Sequence, residues 1–163
     1  TDEEREMLRS YQSKGGKLLL LNSKEVAKAI YPEHITSWII PTEGDIVNME
    51  RNDAPVFDGI DVLELRYFNN NKREIPLACN ATLKVNRNEN LIELAGQMKI
   101  HAYIDGGKPE DRIRKIDSMR GFTLLQIKDR KGLATVSTMC TEKATTDPVA
   151  GKLVVNMINE LLK

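Results

Sequence analysis

Histidine and cysteine are scarce in this chain, two of each among 163 residues, and that scarcity excludes a good deal of chemistry. Cys79 and Cys140 have neither CxxC spacing nor a histidine near them in sequence. No zinc site, other metal centre or disulfide framework is therefore expected. Both read as ordinary buried thiols, because the rival readings, a lone disulfide or a nucleophile, have no supporting constellation. His34 and His101 lack the spaced Asp, Glu, Cys or second His that completes a metal set or a catalytic triad. Net charge is absent as well. Lys+Arg and Asp+Glu both total 24, with no basic run to follow a phosphate backbone, so nucleic acid is not an expected partner. The longest apolar run, Leu18 to Leu21, is far short of the roughly 20 residues a membrane-spanning helix needs, and no signal-peptide pattern is present. A cytoplasmic protein is the resulting expectation.

A chain of 163 residues can bury roughly two thirds of its unfolded surface, enough for one core without staples. The reading is one domain over residues 1–163. Because the chain opens on Thr1 rather than Met, it also reads as a piece of a longer protein that lacks N-terminal elements.

The stretch Thr1 to Gln12 has the composition of a charged helix with Met7, Leu8 and Tyr11 as its apolar anchors, stopped by Lys14-Gly15-Gly16. Gly15-Gly16-Lys17 resembles part of a phosphate-cradling loop, but the earlier glycine is missing and a strand follows, so a helix stop is the better reading. Leu18–Leu21 predicts a short strand. Asn22 or Ser23 then caps a helix with Val26, Ala27, Ile30 and Tyr31 at helical spacing, limited by Pro32. From Ile60 onward, turn residues at 69–71, 86–90, 105–109 and 129–132 divide the chain into five candidate strands, the pattern of an antiparallel meander. In the stretch from Leu91 to Ile104, Ile92, Leu94, Met98, Ile100, Ala102 and Ile104 share one parity. Glu93, Gln97, Lys99 and His101 share the other, which predicts one buried face and one wet face. The preceding strand predicts Leu77, Cys79, Ala81, Leu83 and Val85 inside, with Asn80, Thr82, Lys84 and Asn86 outside. Asp147-Pro148 opens a last helix whose stripe is Val149, Leu153, Val154, Met157, Ile158, Leu161 and Leu162. The expected fold class is α+β, a curved antiparallel sheet gripping a long C-terminal helix.

That order of elements resembles the helix-grip superfamily, which includes START lipid-transfer domains and Bet v 1-like proteins. The resemblance is carried by the strand and helix from Leu18 to Ile30, by Trp38 after that helix, by 115–124 and 133–138 as the last two strands, and by 147–162 as the closing helix. Two departures stand against it: Ile39 follows Trp38 where START domains carry Asp, and Asn80-Ala81 stands where they often carry Arg-Asp. The resemblance implies non-catalytic binding or transfer of a lipid or other hydrophobic small molecule, with transient contact at a membrane surface. It implies no cofactor.

The cavity wall expected under this reading is Leu83, Leu94, Met98, Ile100, Phe122, Met139, Leu153, Val154 and Met157. Flexible methionines, among them Met98, Met119, Met139 and Met157, suit a pocket for variable apolar ligands, and they suit a filled core equally well. Trp38 reads as a core anchor before it reads as a ligand-stacking ring. Asp105 to Asp111 could be a cation loop, but a hairpin connection explains it fully. The second reading is a protein-interaction or assembly module with a filled core and a working surface on strand edges, loops or the first helix. An enzyme of the same superfamily is the third and weakest, since it needs polar groups converging inward and the two clearest strands offer only Cys79.

Overall fold

The structure is a computed structural model and describes residues 1–41, 46–68, 77–98 and 121–163. It is an α+β fold built on a seven-stranded mixed sheet. In chain order the elements are α1 (Asp2–Ser13), β1 (Lys17–Leu21), α2 (Lys24–Ile30), β2 (Ile35–Ile39), β3 (Ile46–Met49), β4 (Thr82–Val85), β5 (Leu91–Met98), β6 (Gly121–Asp129), β7 (Gly132–Ser137) and α3 (Pro148–Leu162). Short 3-10 turns occupy Pro55–Phe57, Glu64–Arg66 and Thr141–Thr145.

Local chemistry accounts for the helix ends. The Thr1 hydroxyl accepts from the Glu4 amide while the Glu4 carboxylate reaches back to the Thr1 nitrogen, a capping box that starts α1. Gly15 stops it. With φ at +102°, Gly15 donates to the Gln12 carbonyl and Gly16 to the Tyr11 carbonyl, the paired bonds of a Schellman stop. Asp147 caps α3 by accepting from the Val149 and Ala150 amides at 2.9 and 2.8 Å, with Pro148 in the first turn. Ser23 stands at the N-cap of α2 but makes no capping bond; its hydroxyl donates backward to the Leu21 carbonyl.

The sheet forks. β5 runs antiparallel along one edge of β6, while β7 pairs with Leu124–Asp129 on the other edge and β4 takes over at Phe122. Thr138 pins the fork: its amide donates to the Thr123 carbonyl, its hydroxyl to the Ala81 carbonyl, and its carbonyl accepts from Asn80. Beyond β7 lies β1 in parallel register, beyond β4 lies β2, and beyond β5 lies β3. The meander read from the sequence is therefore joined by strands β2 and β3, which were not foreseen, and closed by a parallel pair. The stretch from Ile60 to Phe68, expected as a strand, holds turns and a 3-10 turn instead.

The expectation of one wet face is corrected. Both faces of the sheet are covered. Leu19 and Leu21 of β1 turn toward one core and Leu18 and Leu20 toward the other. The first core joins Leu94, Leu124 and Met139 to Ala150, Leu153 and Met157 of α3 and to Val56, Phe57, Leu65 and Phe68. The second joins Leu83, Leu125, Ile127 and Val136 to Ala27, Ile30 and Tyr31, with Leu8 of α1 against it. Gln97 and Thr82, expected outside, are both buried. A strand covered on both faces carries a continuous apolar run rather than an alternating one, and Leu18–Leu21 is such a run. The α3 stripe is narrower than its sequence suggests: Ala150 is buried, whereas Ile158 and Leu162 are exposed. The outer part of the predicted strand from Leu91 to Ile104, the loops at 69–71 and 105–111, and residues His101 and Met119 lie outside the described residues.

Candidate functional site

Of the nine residues expected to line one cavity, the seven whose side chains are described divide between two cores. Leu94, Met139, Leu153 and Met157 are fully or almost fully buried beneath α3, with Val154 half-buried at the edge of the same core. Leu83 and Phe122 belong to the core on the opposite side of the sheet. Met98 ends β5 and pairs with Ile46, and Ile100 lies outside the described residues. Leu65, Phe68, Val56 and Phe57 pack into the space between sheet and α3. α3 also fastens the chain that supplies two of them. The Asn156 amide donates to the Val56 and Asp58 carbonyls at 3.0 Å each, and Lys152 donates to the Gly59 carbonyl at 2.6 Å.

Three buried side-chain atoms lack a hydrogen-bond partner among the described residues: Arg66 Nε, Gln97 Nε2 and Thr123 Oγ1. The Cys79 thiol donates to Gln97 Oε1 at 3.4 Å. An unpaired buried amide or hydroxyl costs about 1–3 kcal/mol, so these are places where water or a polar ligand atom would be favoured. Alternation along β5 predicts a solvent-facing Gln97, and no sequence signal marks Thr123.

Cys79 and Cys140 are both buried, as their reading as ordinary buried thiols expects. Burial, with the Glu142 carboxylate beside it, pushes the Cys140 thiol up to about 12, the opposite of what a nucleophile requires. Around it the Asn22 and Asn80 side-chain amides both donate to the Glu142 carboxylate, and Asn22 also donates to Thr141. Asn22 adopts φ +51°, which Asn tolerates better than other non-glycine residues. This network ties the end of β1 to the turn before α3, and its donors are spent on one another. Among the described residues no group of three or more His, Cys, Asp or Glu side chains is placed to hold a metal.

An open surface feature lies on the other side of the sheet, between α1 and α2. A groove of about 590 Å³ has Leu8, Ala29 and Ile30 along its floor and Glu4, Arg5 and Glu25 among its polar lining. Met7 and Val26 border it at 67 % and 46 % exposure. None of the nine expected cavity residues lines it. The reason Met7 is outside is Gln12. α1 turns toward the sheet the face that carries Leu8 and Gln12, and Gln12 is fully buried, its amide donating to the Ile127 carbonyl at 2.8 Å and its carbonyl oxygen accepting from Tyr31 at 2.6 Å. Burial raises the Tyr31 phenol above its ordinary range, which keeps it a donor. Of the three apolar anchors read from the sequence of α1, only Leu8 packs inward, and Met7 and Tyr11 remain exposed.

These features define the class as an α+β domain whose mixed sheet is covered on both faces. No family model matches the chain, and no curated protein matches it. Among solved structures it is similar to "Cytoplasmic Protein STM3548 from Salmonella typhimurium", with a TM-score of 0.57 and 12 % identity over 95 % of this chain. The match covers 58 % of that longer structure, and at this identity it speaks for the fold alone. Among the described residues no helix is long and apolar enough to cross a membrane.

Proposed function

We propose that this domain is a non-catalytic, cytoplasmic protein-interaction module that works through the groove between α1 and α2. The carrying observation is the exposure of Met7 and Val26 beside an apolar floor, where a folded surface ordinarily places polar side chains. Such a groove suits an amphipathic helix of a partner, inserted by its apolar face. The packed layer under α3 supports the same reading, because apolar side chains from sheet, helix and turns meet there.

Enclosure of a small hydrophobic molecule is the second reading, and its specific support is that Gln97 Nε2 and Thr123 Oγ1 are buried without partners, so that a polar ligand atom would be favoured at either. One experiment separates the two. The purified domain is analysed by native mass spectrometry and organic extraction, and a photo-crosslinking residue is placed at Met7 and, as a control, at exposed Val155 of α3. The interaction reading expects no co-purifying lipid and a defined protein crosslinked from position 7 but not from 155, lost when Val26→Glu is added. Stoichiometric lipid with no crosslink specific to position 7 would overturn it in favour of the ligand reading.

A further inference from the structure

The sheet's outer strands are finished in different ways. β1 packs against α1 and α3, and its Lys17 ammonium donates to the Glu160 carbonyl at 3.3 Å. β3 lies against the 3-10 turn at Glu64–Arg66. β2 has β4 as its one strand neighbour among the described residues, with α2 against it and Thr36 and Ser37 exposed. Its sequence, Ile35-Thr36-Ser37-Trp38-Ile39, is rich in β-branched and aromatic residues and has no charge and no proline. Natural sheets usually blunt an open edge with charges, proline or a bulge, because its backbone amides and carbonyls accept a further strand; β2 carries a register irregularity between Ile35 and Ser37 but neither charge nor proline.

Beside this edge α2 places two cations. Lys24 and Lys28 lie one helical turn apart, with their ammonium groups 5.9 and 5.6 Å from the centre of the Trp38 ring. Both are half-buried, held by the indole face rather than free in solvent. Lys24 also pairs with Glu25 at 2.9 Å, while Lys28 has no carboxylate partner among the described residues. α2 thus presents Glu25, Val26 and Ala29 to the groove and Lys24 and Lys28 to β2, so the two surfaces are separate.

We infer that β2 takes an extended acidic segment of a partner protein as an added strand, its carboxylates meeting Lys24 and Lys28. Main-chain hydrogen bonds supply the attachment and the lysines supply the preference for negative charge. A second copy of this chain fits less well, because pairing β2 with β2 would bring two sets of lysines to one seam. This inference rests on the interaction reading but uses a different face of the molecule.

Trp38 is the chain's single tryptophan and reports the event directly. Trp38 emission is titrated with a short synthetic peptide alternating Val with Glu and with its counterpart alternating Val with Lys. Amide exchange across 35–39 is followed in parallel. The acidic peptide is expected to shift the emission, to bind roughly tenfold tighter than the basic one at low ionic strength, and to slow exchange in β2. Lys28→Glu, with the fold checked by circular dichroism, should abolish that preference, and Val26→Glu should leave it intact even if the groove reading fails. Equal affinity for the two peptides, binding without protection of 35–39, no binding at all, or a dimer in sedimentation that protects β2 unaided would each overturn the inference.

Discussion

The two faces of the sheet are both covered, but by different means. Under α3 the contact is almost wholly apolar. Ala150, Leu153 and Met157 are fully buried against Leu124 and Met139, and polar side chains of α3 act at the rim on the carbonyls of the 55–59 turn. Under α1 the deepest residue is an amide. Gln12 reaches the backbone of β6 and the Tyr31 phenol, and that commitment turns Met7 outward. Apolar burial is non-directional and fixes α3 by area, whereas a hydrogen-bonded latch fixes the rotation of α1. The face held by area still exposes Val155, Ile158 and Leu162 of α3 to solvent; the face held by a latch leaves a groove with an apolar floor.

Breaking the first face should have the largest effect. Losing one such side chain costs about 2–5 kcal/mol against a total stability of roughly 5–15 kcal/mol, so removal of residues 147–163 is expected to leave protein without a cooperative thermal transition. A soluble truncated chain that melts cooperatively would show that the sheet does not depend on α3. Met157→Trp sharpens the same point. In a filled layer, overpacking should cost about 1–3 kcal/mol, read from chemical denaturation, and the parent domain should bind no fluorescent lipid. A tolerated Trp together with lipid binding by the parent would reveal space at that position.

The latch should break more gently. Gln12→Ala leaves the Ile127 carbonyl and the Tyr31 hydroxyl without their buried partner, for an expected loss of about 1–3 kcal/mol. Adding Tyr31→Phe should cost less than the sum of the two single changes, because the stranded hydroxyl is then gone. Strict additivity in the double-mutant cycle would mean that Gln12 and Tyr31 act independently.

The contrast also explains what could be read from the sequence. Helix ends were legible because their signals are local: Gly15-Gly16 stops α1 and Asp147-Pro148 starts α3, as the cap geometry bears out. The α+β class followed from the same periodicities. The second covered face was missed because alternation in Leu91–Met98 invites a half-wet strand, while burial of Gln97 depends on neighbours distant in sequence. The Leu18–Leu21 run is the local sequence signal for two-sided burial. Gln12 could not have been found by pattern at all, since an amide becomes a core residue only when Ile127 and Tyr31 arrive to satisfy it. The candidate site shifted for the same reason, from a cavity wall chosen by apolar parity to a groove left by a polar latch.

The smallest expected effect sets the two faces against each other through pH. On the α3 side, burial raises the Glu160 carboxyl above its ordinary value, although Gln126 donates to it at 2.9 Å. A raised carboxyl binds its proton more tightly in the folded state, so stability is lost as pH rises from about 4.3 toward the folded value. On the α2 side, burial lowers His34, whose Nδ1 lies 2.9 Å from the Asn88 amide. The unfolded chain then binds the proton more readily, so stability is lost as pH falls from about 6.5 toward the folded value. The two slopes have opposite signs, the Glu160 slope lying above about 4.3 and the His34 slope below about 6.5. Thermal melts at several pH values between 4 and 7 should show His34→Gln with a steeper decline toward neutral pH and Glu160→Gln with a steeper decline toward acid, each relative to wild type. Groups common to all three proteins cancel in that difference. Parallel profiles would mean that neither face changes its proton affinity on folding, and the contrast would then rest on packing and hydrogen bonding alone.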